Sequence, residues 1–194
     1  MTSVASAKPA LVSAPLQQQF ADIDTNSSTA VHLPHLQALA IQVKHNLEYQ
    51  HSWSALHVHT HSPLTLEPLS RPLVSGLPPQ RIYIHPDEQV ELLKEADRKR
   101  KANKTAGENA GLQVKAEPER EWILPTRLNE KWTLRRLAEV FDAITSVPPA
   151  LERVQESPEN PWRTTKRVLL GTADSDSTIV YYIVHDGVVK PRQN

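Results

Sequence analysis

The residues best suited to acid–base chemistry lie near the end of the chain: Tyr181, Tyr182, His185, Asp186 and Lys190. Tyrosine, histidine and lysine together can cleave RNA without a metal, by deprotonating a 2′-hydroxyl, protonating the leaving oxygen and holding the phosphate charge. Side chains alternate between the faces of a strand, however, so Tyr182 and His185 would point in opposite directions. We therefore favour a packed or partner-facing strand and assign no catalytic residue.

A second group with chemical potential is the histidine triplet in Trp53–His61, where His57, His59 and His61 share one face of a predicted strand. Successive side chains on such a face lie about 7 Å apart, so three in a row rarely close around one ion. No Cys, Asp or Glu nearby completes a ligand set. We interpret the triplet as a polar strand face and predict no metal and no cofactor; a metal-dependent enzyme built on it remains a third hypothesis.

Composition removes several classes of function. Cysteine is absent, which excludes disulfides and thiolate catalysis. The chain also lacks the dinucleotide-binding glycine pattern, the P-loop and the Gly-x-Ser-x-Gly elbow. The formal net charge is zero, so no global basic field attracts nucleic acid. No apolar run approaches the roughly 20 residues of a membrane span, and we expect no membrane association.

The elements that would position these residues are helices and short strands. Helical spacing predicts one helix at Pro34–Gln50 and one at Leu134–Ile144, the second capped by Thr133. Their predicted buried faces are Leu36, Leu39, Ala40, Val43 and Leu47 in the first, and Leu134, Leu137, Val140 or Phe141, and Ile144 in the second. Pro86-Asp87-Glu88 predicts the start of a third, short helix.

Apolar and β-branched runs predict the strands: Trp53–His61, Leu73–Ser75, Arg81–His85, Glu121–Leu124 ending at Pro125, Val168–Leu170 and Ile179–Val184. Asp186-Gly187 predicts a type I′ turn that folds Val188-Val189 back beside the last strand. The fold class is therefore α/β, with an antiparallel C-terminal sheet. Ile179–Val184 is apolar on both faces, so its own helices, a partner, or both must cover it.

Low hydrophobicity and many prolines predict flexible segments around one domain. We expect a tail at 1–30 and a domain at 31–194, which contains an insertion at about 102–119 and a Pro-rich linker at about 148–161. Ser62–Arg71 is predicted to be a loop. Basic residues cluster in Lys94–Lys104. They could contact phosphate through Arg98, Lys99, Arg100 and Lys101, or form a solvated helix end.

Three separated segments carry a family resemblance: Arg81–Gln89, Glu119–Pro125 with Lys131–Arg136, and Ser177–Arg192. In these segments the chain closely resembles the fungal Sen-fifteen subunits of the tRNA-splicing endonuclease. The resemblance implies the α/β fold of the tRNA-intron endonuclease catalytic domain, a mixed sheet with antiparallel C-terminal strands flanked by helices. It also implies a nuclear four-subunit assembly that removes introns from precursor tRNA.

The resemblance implies a structural role. The Tyr/His/Lys triad belongs to the catalytic subunits, and the glycine-rich segment that carries their histidine is absent here. The last strand is expected to pair with the catalytic Sen-thirty-four subunit, through Ile179, Val180, Tyr181, Tyr182, Ile183, Val184 and His185, or through Val188 and Val189. Asp174 and Asp176 match an acidic docking loop, or form an ordinary turn.

The same resemblance implies contacts with the other catalytic and structural subunits, and with precursor tRNA through the complex. An uncovered apolar edge also predicts a homodimer when the chain is isolated. The alternative from another class is an autonomous RNA-binding module that uses residues 94–104, for which tight, salt-dependent tRNA binding would be the signature.

Overall fold

A computed structural model describes residues 14, 16–18, 20–21, 31–105, 116–149 and 160–189. From residue 31 onward the elements are α1 (Pro34–Gln50), β1 (Ser54–His61), β2 (Pro68–Leu77), α2 (Pro86–Thr105), β3 (Glu121–Arg127), α3 (Leu134–Asp142), β4 (Arg167–Ala173) and β5 (Ile179–His185). The strands form one sheet in the order β1-β2-β3-β4-β5. The predicted α/β class is confirmed. Among the described helices, none has the length and apolarity needed to cross a bilayer.

The sheet is mixed because one of its connections contains a helix. β3 and β4 run parallel, whereas the other neighbouring strands are antiparallel. Parallel neighbours need a crossover of a dozen or more residues, and residues 128–166 provide one that includes α3. β4 and β5 are joined by the short loop 174–178, so they form the antiparallel C-terminal pair that the sequence predicts.

Helices cover both faces of the central strands. On one face, Ala40, Val43 and Leu47 of α1 pack against Ile123 and Leu169. On the other face, the core contains Trp122, Leu124, Phe141, Ile144 and Val168. Consecutive residues of β3 and β4 therefore enter different cores, which explains why these strands are apolar at almost every position. The predicted buried face of α1 is confirmed at Leu39, Ala40, Val43 and Leu47.

α3 is shorter than predicted, and its first residue points into solvent. Thr133 caps the helix, since its hydroxyl accepts a hydrogen bond from the Arg136 amide at 3.3 Å. Leu134 is 87% exposed, so its predicted place in the buried face is wrong. Val140 and Phe141 are buried as predicted, and Ile144 is buried just beyond the end of the helix.

Two strands include prolines at positions where the sequence predicted a loop or a strand end. β2 begins at Pro68, inside the predicted loop, and β3 continues through Pro125 to Arg127. The β2–β3 ladder ends at the pair Val74–Ile123. If that register is continued, Pro72 faces Pro125, and neither residue has an N–H to donate. β3 keeps its pairing with β4 beyond this point, which holds it in strand geometry.

The predicted strand at Arg81–His85 is wrong, because these residues form no ladder. α2 does begin at Pro86 with two acids in its first turn, but it continues to Thr105 and so extends into the predicted insertion. Glu119, at the other end of that insertion, makes ion pairs in the folded domain. Residues 106–115, most of the predicted tail and residues 150–159 of the predicted linker lie outside the described residues.

Six charged side chains form a buried ion network at the end of the sheet where β3 and β4 begin: Arg81, Glu88, Glu119, Glu121, Arg163 and Arg167. The Glu121 side chain is 4% exposed and accepts hydrogen bonds from Arg163 and Arg167. Burial opposes ionisation of Glu119, but a hydrogen bond from Asn160 and the nearby arginines keep its pKa below the usual value. The network therefore ties the start of β3 to the start of β4.

A smaller charged cluster stabilises the opposite end of β3. Glu130 accepts hydrogen bonds from Arg71, Arg136 and Thr126, and both guanidinium groups lie over the Trp132 ring. Burial disfavours the carboxylate of Glu130, but the hydrogen bonds from Arg71 and Arg136 outweigh that cost and lower its pKa to about 2. Glu130 is therefore ionised throughout the neutral and mildly acidic range.

Replacing Glu121 with Gln is expected to cost about 3–5 kcal/mol of unfolding free energy, because two arginines would remain buried without their shared carboxylate. Urea unfolding followed by circular dichroism measures this. Glu95→Gln is the matched control, since Glu95 pairs with Lys99 on the exposed surface of α2 and should leave the midpoint unchanged. Equal midpoints for the two variants would contradict a structural role for the network.

Glu130→Gln is expected to lower the unfolding temperature near neutral pH. The difference in unfolding temperature between this variant and the unmodified chain should become smaller as the solution is acidified. A carboxylate with a lowered folded pKa stabilises the fold above its unfolded value of about 4.3, and this contribution is lost as pH falls toward about 2. Thermal unfolding midpoints between pH 7 and pH 2.5 would show the gap closing below about pH 4. A gap that stays constant over this range would contradict the assignment.

Candidate partner interface

β5 is an edge strand of the sheet. It pairs along its whole length with β4, from Arg167–His185 to Ala173–Ile179, and with no other described strand. Its free side presents backbone N–H and C=O groups that a further strand could bind. Val180, Tyr182 and Ile183 are 46%, 57% and 37% exposed. The strand therefore combines a backbone edge that pairs with no other described strand with exposed apolar side chains.

Other side chains of β5 anchor it to the domain. Tyr181 packs against the core beneath α1, and its hydroxyl donates a hydrogen bond of 2.7 Å to Asn46 Oδ1. Burial raises the pKa of Tyr181 above its ordinary value. Val184 packs against the core on the α3 side, and Ile179 packs on the α1 side. The predicted set Ile179–His185 thus divides into anchoring and exposed residues.

The predicted return of Val188 and Val189 as a paired strand is wrong. Gly187 adopts a left-handed φ of +94°, but residues 188–189 are not in a ladder, and Val188 is 97% exposed. The Asp186 amide instead donates to the carbonyl of Lys166, which extends the contact with the segment before β4. The chain therefore leaves the sheet after His185 rather than forming a hairpin.

The acidic loop between β4 and β5 is an ordered turn on the surface. The Thr178 carbonyl accepts from the Asp174 amide, and the Asp176 carboxylate accepts from the Thr178 amide at 2.8 Å. These bonds with Thr178 lower the pKa of Asp176. Asp174 and Asp176 are both exposed. The loop has the geometry of an ordinary turn, and its carboxylates are accessible to a partner.

The basic segment lies on the exposed surface of α2. Lys99 pairs with Glu95, and both Arg100 and Lys101 pair with Asp97, at helical spacing. Arg98 is also exposed. These acids reduce the local positive charge available to phosphate, so the segment has the features of a solvated helix face.

The histidine strand does not bring its three rings together. His57 and His59 are in edge contact, and His59 also contacts Trp122. Burial, aided by the charges of His57 and Arg120, lowers the pKa of His59 to about 4. A register shift separates His61, which is exposed. Among the residues that the structure describes, no group of three or more His, Cys, Asp or Glu side chains could hold a metal.

The sequence reasoning missed the ion network beside this edge. Arg167 pairs directly with His185 of β5 in the sheet register, so the network positions the end of the exposed strand. The sequence feature that could have predicted this network is the alternation Glu119-Arg120-Glu121 immediately before the apolar run of β3. Charges that enter a strand in this way require buried partners.

Val184→Glu is expected to lower the unfolding temperature of the isolated chain more than Tyr182→Glu does. Tyr182 is exposed, so a charge there should change the unfolding temperature little, whereas Glu at 184 would place a carboxylate against the core. Thermal unfolding by circular dichroism compares the two variants. If Tyr182→Glu is as destabilising as Val184→Glu, the exposed position of Tyr182 is incorrect.

Comparisons with known proteins match the chain to one family. A family model described as Sen15 protein matches residues 42–194. The Neurospora crassa protein named "Probable tRNA-splicing endonuclease subunit tsp-1" is 43% identical over 166 residues, which cover 82% of this chain and 67% of that protein.

Two further relatives carry similar names. The "tRNA-splicing endonuclease subunit SEN15" of Eremothecium gossypii is 30% identical over 101 residues, which cover 52% of this chain and 70% of that protein. A sen15 subunit of Schizosaccharomyces pombe is 37% identical over 76 residues, which cover 38% of this chain and 50% of that protein. The family match spans most of the chain and includes all of β1 to β5, and the chain therefore belongs to the Sen15 protein family.

Proposed function

We propose that this chain is a non-catalytic structural subunit of a tRNA-splicing endonuclease, and that β5 pairs with a catalytic subunit of the Sen-thirty-four type. The relatives named above are subunits of that endonuclease, which supports a subunit role. Membership of such a complex implies catalytic and structural neighbours, precursor tRNA as the shared substrate, and a nuclear location.

The main support for the proposal is that β5 is an edge strand with exposed apolar side chains. A partner strand on β5 would satisfy the unpaired backbone groups, while Val180, Tyr182 and Ile183 would supply apolar contacts. Exposed apolar edge strands are aggregation hazards, and natural proteins usually protect them with charges, bulges or a covering element. No such charge occurs from Ile179 to Val184, so coverage by another chain is the simplest physical solution.

The chemistry of the Tyr/His residues in β5 also favours a structural role. The Tyr181 hydroxyl is held by Asn46, and burial raises its pKa, which is the wrong direction for a base. Tyr182 lies in the middle of β5 on the face opposite to Tyr181, and His185 lies four residues along the strand from Tyr181, so the three side chains do not converge. The cleavage chemistry of the complex would then reside in other subunits.

The acidic loop provides a second, separate contact in this proposal. Asp174 and Asp176 are exposed at the end of the sheet where β5 begins, away from the ion network at the other end. Their carboxylates would dock on a basic surface of a neighbouring subunit, since exposed charges favour association with a patch of opposite sign.

Tyr182→Glu combined with Val180→Glu is expected to abolish recovery of the catalytic subunit when the tagged chain is purified from its source cells. The two carboxylates would have to be desolvated in the strand interface. Leu128→Glu combined with Leu134→Glu is the matched control: it introduces the same two charges at exposed leucines outside β5 and should leave recovery unchanged. Partners are identified and quantified by mass spectrometry, and undiminished recovery with the double variant would refute the proposal.

A further inference from the structure

A small pocket opens beside the end of β5. Its walls include Tyr83 from the segment before α2, Trp162 from the segment before β4, Arg167 at the start of β4, and His185 at the end of β5. Val188 and Val189 form part of its rim, and Val188 is almost fully exposed. The pocket is therefore adjacent to the free edge of the sheet.

Two buried hydrogen-bonding groups around the pocket lack a partner among the described residues. Tyr83 Oη and His185 Nδ1 are both buried and unpartnered, and the two rings lie 4.8 Å apart between centroids. Arg167, on the same wall, uses Nε and Nη2 to bind Glu119 and Glu121. Buried polar groups that stay unsatisfied cost about 1–3 kcal/mol each, so a ligand that satisfies them would be favoured.

The hydrogen-bond donors around the pocket favour a ligand that presents oxygen acceptors. The Arg167 guanidinium lies over the Tyr83 ring, with its carbon 5.4 Å from the ring centroid. Burial, together with the positive charges of Arg167 and Arg163, lowers the pKa of His185. Tyr83 Oη and the Nδ1-protonated tautomer of His185 can both donate to oxygen, and an oxyanion accepts several such bonds.

The surroundings favour a protein ligand over a nucleic acid. Both arginines at the pocket are buried and paired with Glu119 and Glu121, and no described residue of its wall is an exposed lysine or arginine. A phosphate backbone would need such exposed cations along its path. The rim is apolar instead, and it continues from an edge strand with exposed apolar side chains.

We propose that this pocket receives the carboxylate of an Asp or Glu side chain from the protein that pairs with β5. The proposal rests on the function proposed above and adds the chemistry of one contact. The partner strand supplies backbone hydrogen bonds along β5, and a single acidic side chain beyond it enters the pocket beside Tyr83 and His185.

Tyr83→Phe tests this contact, because it removes only the hydroxyl. The isolated variant is expected to keep or raise its unfolding temperature, since an unpartnered buried hydroxyl is lost. The complex with the catalytic subunit is expected to bind about ten-fold more weakly by isothermal titration calorimetry, since a hydrogen bond to a charged group is lost. Tyr49→Phe is the matched control: Tyr49 is 64% exposed on α1, so neither quantity should change.

The outcomes separate this inference from the proposed function. If the Val180→Glu and Tyr182→Glu double variant abolishes the complex while Tyr83→Phe binds with unchanged affinity, the acidic contact is wrong and the strand pairing stands. If neither variant affects binding, both proposals fail. Weaker binding of a precursor tRNA transcript by the isolated Tyr83→Phe chain, with unchanged protein affinity, would assign the pocket to RNA and overturn the inference.

Cross-linking from a photoreactive benzoylphenylalanine at position 188 provides a second test, which does not depend on a change in binding affinity. The rim position is exposed, so the substitution should be tolerated. Cross-links mapped by mass spectrometry are expected on a partner segment that contains Asp or Glu within a few residues. Cross-links confined to segments without an acidic residue would contradict the proposal.

Discussion

The structure depends on one electrostatic constraint, the mutual neutralisation of buried arginines and glutamates where β3 and β4 begin. Arg163 and Arg167 would be costly to bury alone, and so would Glu119 and Glu121. Each charge is compensated only when the segment before β4 lies beside the start of β3. Because the two strands are parallel and far apart in sequence, this pairing helps to select their register.

The register of β4 in turn determines what β5 exposes. Arg167 faces His185 across the antiparallel pair, and from that point Leu170 faces Tyr182 and Thr172 faces Val180. Tyr181 and Val184 reach the two cores and hold the strand in place, while no helix in the described part of the chain covers Val180 and Tyr182. A stable anchor and an exposed apolar edge therefore coexist in one seven-residue strand. The same arrangement places the Tyr83–His185 pocket at the end of that edge.

Local patterns predicted the elements where local physics decides the outcome. The periodicity of Pro34–Gln50, the Thr133 cap and the paired runs around residues 174–178 were all confirmed. Predictions failed where a distant segment overrode the local preference. Pro125 remains in a strand because β4 pairs with it, and Leu134 is exposed because the face of α3 that packs on the sheet begins further along the helix. The roles assigned to Asp174, Asp176 and the β5 residues as partner contacts remain predictions.

The sequence by itself determined the α/β class, the antiparallel C-terminal strands and, through three separated segments, the Sen15 family. These features depend on side-chain periodicity and on motifs that a linear chain displays directly. Only the tertiary structure decided which β5 residues are exposed, that Val188 and Val189 do not pair, and that six charged side chains from separate segments form one buried network. Such features arise from contacts between residues distant in sequence, whose energies no local pattern encodes.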